Sequence, residues 1–313
     1  MQNQHFVPQL LLKNFADTDG RLFYLDKRND HIGKVSPKKA ASDTDFYEFN
    51  IDGEAFSFEE RFQKYETKAG KGLKKLTSGQ SPLLLSDAER EDLAAFVALQ
   101  SFRTEAFLMN LRDHNTREER GKTLSRMWDS LFLSVPLIAA RHWMIMQIEH
   151  EESFYLGDNP VVLQNTEHPS AKGSLGFDVQ GVEAFMPLTP KLALYLPCPS
   201  ISNQIIKAHY NGLVMQRELW ASGVGVSIDA VAVSNALRGT KPLYDAAVHG
   251  TALPAPSTSV LNLNYLQSAW AHKHLYANSN KFETARMVFS KSPQYRQPPT
   301  SGYAQMFSRN GQE

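Results

Sequence analysis

Along this chain the spacing of apolar positions changes near the middle. From Ser57 to about Leu133 apolar residues recur every three or four positions, which predicts helices. Ser57 with Glu60 fits a capping box ahead of a stripe of Phe62, Glu66, Ala69 and Leu73. Ser86 with Glu89 opens a second helix, with Leu93, Phe96, Gln100, Arg103 and Phe107 on one side. A third is expected from Glu118 to Leu133, buried through Leu124, Trp128, Leu131 and Phe132 and stopped by Pro136.

Elsewhere short alternating runs predict strands. After an apolar opening that Pro8 starts as a short helix, residues 21–26 and 45–49 alternate, with turns at 17–20 and 50–53. Residues 142–148 and 153–156 flank His150-Glu151-Glu152 and predict a β-hairpin. Residues 161–163 resume a strand after the corner Gly157-Asp158-Asn159-Pro160. Residues 184–188 and 192–196 form another pair, turned at Thr189-Pro190. Helices return at 227–237 and 264–275. The expected fold class is α+β, a mostly helical N-terminal part packed on an antiparallel sheet with hairpins. One domain is expected over residues 1–290, with a disordered tail, rich in Pro, Gln, Ser and Gly, over 291–313.

Composition narrows the function classes. The 313 residues are 42% hydrophobic and 21% charged, ordinary globular usage, and a chain of this length buries enough surface to need no covalent staple. The single cysteine, Cys198, forms no internal disulfide, which suits a reducing cytoplasm, and reads as a small buried apolar residue. The 33 basic and 33 acidic residues balance, so a polybasic grip on nucleic acid is not indicated. Lys34, Lys38 and Lys39, like Lys68, Lys71, Lys74 and Lys75, read as solvated faces. No signal peptide or membrane span is recognisable, so no membrane partner is expected.

The chemistry-bearing positions are few. Gln100 and Arg103 interrupt an apolar helix stripe, and a buried guanidinium needs a carboxylate or an anionic ligand. Glu66 interrupts its own stripe in the same way. The two readings are a Glu66–Arg103 structural ion pair and a polar cluster lining a ligand cavity. Asp158-Asn159-Pro160 follows a strand, so it either aims a general base, metal ligand or hydrogen-bonding carboxylate from a rigid tip, or closes an Asx-turn on its own backbone. His5 is the acid/base candidate of the first hundred residues. Zinc-ligand spacings, a phosphate loop, a dinucleotide fingerprint and a nucleophile elbow are all missing from the sequence, so no nucleotide cofactor is indicated.

Taken in order, His5-Phe6-Val7-Pro8-Gln9 with Leu12-Lys13-Asn14-Phe15, Gln100-Ser101-Phe102-Arg103-Thr104 and Gly157-Asp158-Asn159-Pro160-Val161 form a pattern. It resembles an uncharacterised, mostly bacterial family, domain of unknown function 4238, over about Gln4 to Ala277. Pro187-Leu188-Thr189-Pro190 and the segment from Asn262 to Ala277 are similar too. Gly157 stands where that family carries Ser or Thr. The resemblance implies that His5, Glu66, Gln100, Arg103, Asp158 and Asn159 belong to one constellation. Such a site suits a hydrolase of nuclease or phosphodiesterase type: Arg103 on the anion, His5 as acid or base, Asp158 orienting a partner or a divalent metal ion, Gln100 and Asn159 supplying hydrogen bonds. The expected partner is nucleic acid or another phosphate-bearing ligand. The alternative is a non-catalytic binding or regulatory module whose polar cluster is a structural core network.

Overall fold

A computed structural model describes residues 3–44, 48–51, 54–57, 59–102, 117–167, 175–223 and 228–299. The chain opens with β1 (Asn3–His5) and a one-turn helix, α1 (Gln9–Leu12), whose Leu11 and Leu12 amides bond to the carbonyl of the N-capping Pro8. The strands β2 (Leu22–Asp26) and β3 (His31–Val35) make a hairpin, and β4 (Ser42–Thr44) returns to pair with β1. A second hairpin, β5 (Glu48–Ile51) with β6 (Glu54–Ser57), precedes the helices.

Helix α2 (Glu59–Thr77) starts later than its expected cap, because Ser57 is taken up as the last residue of β6, in register with Glu48. Helix α3 (Asp87–Phe102) begins as the sequence predicts. Ser86 Oγ accepts the Glu89 amide at 3.3 Å, and Glu89 Oε2 accepts the Ser86 amide at 3.0 Å. Lys75 from α2 also donates to Glu89, and together with the Ser86 amide it holds that carboxyl down at about 2. The two helices meet closely because α2 carries Gly72 where Leu93 packs; a Cβ there would lie 2.7 Å from Leu93 Cδ1. Helix α4 (Arg117–Ala139) passes through Pro136 instead of stopping before it. So near the C-terminal end the ring removes one amide from the ladder, and the helix ends within a turn.

Two sheets follow. The larger has the order β12-β7-β11-β10-β9, built from β7 (Met144–Gln147), β9 (Val162–Asn165), β10 (Val182–Pro187), β11 (Leu192–Leu196) and β12 (Leu253–Pro254). The pair turned at Thr189-Pro190 is present as β10–β11. The hairpin expected across His150-Glu151-Glu152 is not. Instead β7 lies between β11 and β12, and the chain on the far side forms β8 (Leu156–Gly157) in the other sheet. The amides of Ile148 and Phe154 bond outward, to the carbonyls of Lys191 and Pro190, rather than to each other's strand. The smaller sheet runs β3-β2-β13-β8 and recruits β13 (His274–Ala277) from the far end of the chain.

The C-terminal helices are longer or placed differently than the periodicity predicts. Helix α5 (Pro199–Ala221) was not expected, and α6 (Ile228–His249) continues through Pro242. Helix α7 (Ser257–Trp270) ends where the expected helix would be in mid-course, giving way to β13. Helix α8 (Glu283–Lys291) and a 3-10 turn (Pro293–Arg296) extend ordered chain into the expected tail. There Arg296 Nη1 donates to the Lys27 carbonyl at 3.1 Å.

The large sheet has an apolar layer on both faces, and the small sheet packs one face under a helix. Phe96, Leu99, Leu163, Ala184 and Leu194 belong to the main core, and Met146, Phe185, Ala246 and Leu263 to the core on the other side of the large sheet. Leu25, Leu275, Ala285 and Phe289 close the small sheet under α8. No helix among the described residues is long and apolar enough to cross a membrane.

Candidate functional site

The Asp158 corner is buried and anchors a distant segment. Asp158 Oδ1 accepts the amide of His272 at 2.6 Å, and Oδ2 accepts those of Lys273 and His274 at 2.7 Å each. Its own amide donates to the His274 carbonyl, so the carboxylate binds the α7–β13 junction rather than its own turn. Lys27, at the end of β2 and with no exposed surface, works on the same junction. Its ammonium donates to the carbonyls of Ser268 and Ala271, which the end of α7 leaves unpaired. Burial pulls the Lys27 pKa down to about 8, against the opposing pull of Asp158. Gly157 explains itself here: Gln267 Oε1 accepts its amide at 2.7 Å, and a Cβ on Gly157 would lie 2.8 Å from that oxygen.

The other expected site residues are distributed over several elements. Asn159 donates to the Trp270 carbonyl at 3.5 Å, while its buried Oδ1 has no partner among the described residues. Gln100, fully buried on α3, has no partner for either amide atom among the described residues. Buried orphans of this kind are rare in native proteins and call for an explanation. His5 sits on β1 opposite Ser42, with Nε2 3.3 Å from the Pro37 carbonyl oxygen. Glu66 is half-buried on α2 between Phe62 and Ala69. Arg103, and with it the expected Glu66–Arg103 pair, lies outside the described residues. Asp158 and Asn159 thus share one corner, while His5, Glu66 and Gln100 stand on other elements. Among the described residues no three His, Cys, Asp or Glu side chains gather as a metal site would require.

Next to the anchored junction lies an open cleft of about 730 Å³. Its floor is one face of the small sheet. His274 stands opposite Asp26, and Asp26 opposite His31, so the three form a row across β13, β2 and β3. The next row on the same face is Tyr276, Tyr24 and Gly33. A Cβ on Gly33 would lie 2.6 Å from the Tyr24 ring, so the glycine gives that ring its place. Tyr24 meets His274 edge-on at 5.3 Å and His31 at 6.0 Å between centroids. The wall is the chain beside β1 and β4, Phe6 and residues 40–42. Ala41 there holds a left-handed φ of 46° and donates its amide to Tyr276 Oη at 3.0 Å. A strained non-glycine residue of this sort persists only where its surroundings fix it.

The cleft is electropositive. Lys34, Lys39 and Lys273 line it against one carboxylate, Asp26. Lys34 is held by Asp17 at 2.7 Å, whereas Lys39 and Lys273 have no carboxylate partner among the described residues. The Asp26 oxygens accept the amides of Arg28 and Asn29 and the Asn29 side chain. Burial, opposed by Asp158 and seconded by Lys273, lowers the pKa of His274 and favours its neutral form. Sequence reasoning passed over His31, His274, Tyr24, Lys39 and Lys273. It sought metal spacings for histidine and read Lys39 as part of a solvated face. Alternation of His274 with Tyr276, and of Tyr24 with Asp26, was the available signal.

Arg141 is a further buried charge bonded to main chain. Arg141 donates to the carbonyls of Val182 at 2.7 Å, Leu196 at 2.9 Å and Phe177 at 2.9 Å. Beside it, Cys198 caps α5 and is buried as expected, yet its surroundings are polar. Its Sγ accepts from the Gly181 amide and the Ser200 hydroxyl. Burial raises the thiol pKa, but Ser200, Gly181 and Arg141 outweigh it, and the net shift is downward.

The architecture is thus that of an α+β protein whose two sheets are pinned by buried charges bonded to backbone. The chain belongs to the family described as "Protein of unknown function (DUF4238)", whose model matches residues 3–132 and 126–281. No curated protein and no solved structure matches it.

Proposed function

We propose that this protein is a phosphodiester hydrolase or transferase working by acid/base chemistry in the cleft on the small sheet. One observation carries the reading: His274, Asp26 and His31 stand in register across three strands of a cleft that also holds Lys39 and Lys273. In this reading the two lysines hold the anion, and the two imidazoles exchange the protons that phosphoryl transfer requires. Asp158 acts as a positioning residue: its three bonds to residues 272–274 set where Lys273 and His274 stand. The unpartnered amide atoms of Gln100 and Asn159 are the groups left to orient a ligand, in the role the family resemblance implies. His5 serves through β1, which leads directly into the wall residue Phe6, Arg103 is the anion-binding residue that the family resemblance implies, and Glu66 a further member of its constellation.

Turnover of bis(p-nitrophenyl) phosphate by the purified chain tests this. Lys39→Ala with Lys273→Ala should raise KM, and His274→Gln should lower kcat about 100-fold. A protein that neither turns over the diester nor binds inorganic phosphate would end the reading. The saturated pairing of Asp158 and Lys27 favours the second reading, a binding module; phosphate binding without turnover would establish it.

A further inference from the structure

We propose that the substrate class of this cleft is single-stranded RNA, cleaved by attack of its own 2′-hydroxyl; the inference rests on the phosphodiester reading above. Three features of the cleft point there. His274 and His31 are two strands apart, so their Cα atoms are about 10 Å from each other at ordinary sheet spacing. A diester phosphorus lying between them has one imidazole on the side of the entering oxygen and the other on the side of the leaving oxygen. Tyr24 lies between the same two imidazoles, with its ring in the cleft, where an unpaired base can stack on it. Lys39 and Lys273 give the backbone phosphates their counter-charge.

Two imidazoles supply proton transfer and no nucleophile. RNA brings one, the ribose 2′-hydroxyl next to each phosphate. His274, half-buried and held toward its neutral form, takes the 2′-O–H proton as the 2′-oxygen forms its bond to phosphorus. The bond from phosphorus to the 5′-oxygen breaks, and His31 in its protonated form delivers a proton to that oxygen. The products are a 2′,3′-cyclic phosphate and a free 5′-hydroxyl. Every atom and proton is then accounted for without a further reactant. Return of the imidazoles to their starting forms is a proton exchange with water, to which His31 is exposed.

Three end-labelled oligonucleotides of one unstructured sequence decide the matter: all-ribose, all-deoxy, and deoxy with a single ribonucleotide. The full-length protein should cut the first, leave the second and cut the third only after its ribose, with a cyclic phosphate seen by mass spectrometry. His31→Gln and His274→Gln should each slow cleavage about 100-fold with the melting temperature unchanged. Equal cutting of the all-deoxy strand, or products ending in 5′-phosphate, would overturn the RNA inference and leave the phosphodiester reading intact. Failure on all three strands while bis(p-nitrophenyl) phosphate is turned over would do the same. Failure on every substrate would remove both.

Discussion

The Asp158 corner and the neighbouring cleft hold similar residue types put to opposite uses. At the corner every charged group is saturated by main chain: Asp158 by three amides, Lys27 by two carbonyls, both with almost no exposed surface. In the cleft the imidazoles of His31 and His274 and the ammonium groups of Lys39 and Lys273 face open space. Burial without a ligand demands complete pairing, so a saturated charge marks a support and an unsaturated one marks a contact. The pair are still linked, because the segment that Asp158 holds carries Lys273 and His274 into the cleft. Arg141 repeats the first pattern with opposite sign, one guanidinium on three carbonyls.

Breaking the corner should have the largest effect. Asp158→Ala leaves three amides of the junction unpaired and the Lys27 ammonium without its opposite charge, and should cost about 3–5 kcal/mol. Urea melts measure this, and a loss below about 1 kcal/mol would mean that the corner is not a support. Arg141→Met should cost somewhat less, about 2–4 kcal/mol, since three carbonyls lose a charged donor while the aliphatic volume is kept. Unlike Asp158→Ala it should leave phosphate binding at the cleft unchanged in whatever fraction stays folded.

Lys27 gives the corner a pH signature. Its folded pKa, about 8, lies below the ordinary lysine value of 10.5, so between these pH values the unfolded chain binds more protons. Stability from this group therefore rises with pH through that window, by up to about 3 kcal/mol. The rise should appear as a difference between wild type and Lys27→Met melts taken at pH 7 and pH 10. Parallel curves would refute it. The cleft responds with the same sign in a lower pH range: protonation of His274 stops the proposed base. Because burial lowers its pKa, the acid-side loss of diester turnover should come below the ordinary imidazole range.

The smallest expected effect sharpens the boundary between the regions. Gly33→Ala must displace the Tyr24 ring, whose far end is free to swing, so stability should change by less than about 1 kcal/mol. The KM for a nucleotide substrate should nevertheless rise severalfold, because the stacking ring moves. An unchanged KM would show that Tyr24 takes no part in binding.

Much was legible in local sequence. The Ser86–Glu89 cap, the β10–β11 pair and the buried stripe of Phe62, Ala69 and Leu73 all rest on neighbours within a few positions, and each is found. The special nature of Asp158-Asn159 was also visible, as was the oddity of Gln100 on an apolar stripe. Their roles were not, since sequence spacing cannot say whether a polar group will find main chain, a ligand or nothing. The expected hairpin at His150-Glu151-Glu152 fails for a related reason. Either flank could pair locally, but β11 and β12 claim one and β13 the other.

By itself, then, the sequence determined the α+β class, the helical middle and the positions where polarity intrudes on apolar stripes. These follow from periodicity and capping, which act over a turn or a strand. Only the tertiary structure decided that residues 272–274 lie against Asp158, more than a hundred positions away, and that β13 lands beside β2. That pairing adds His274 to the row that Asp26 and His31 already make in the β2–β3 hairpin, because sheet register is fixed between strands and not along the chain.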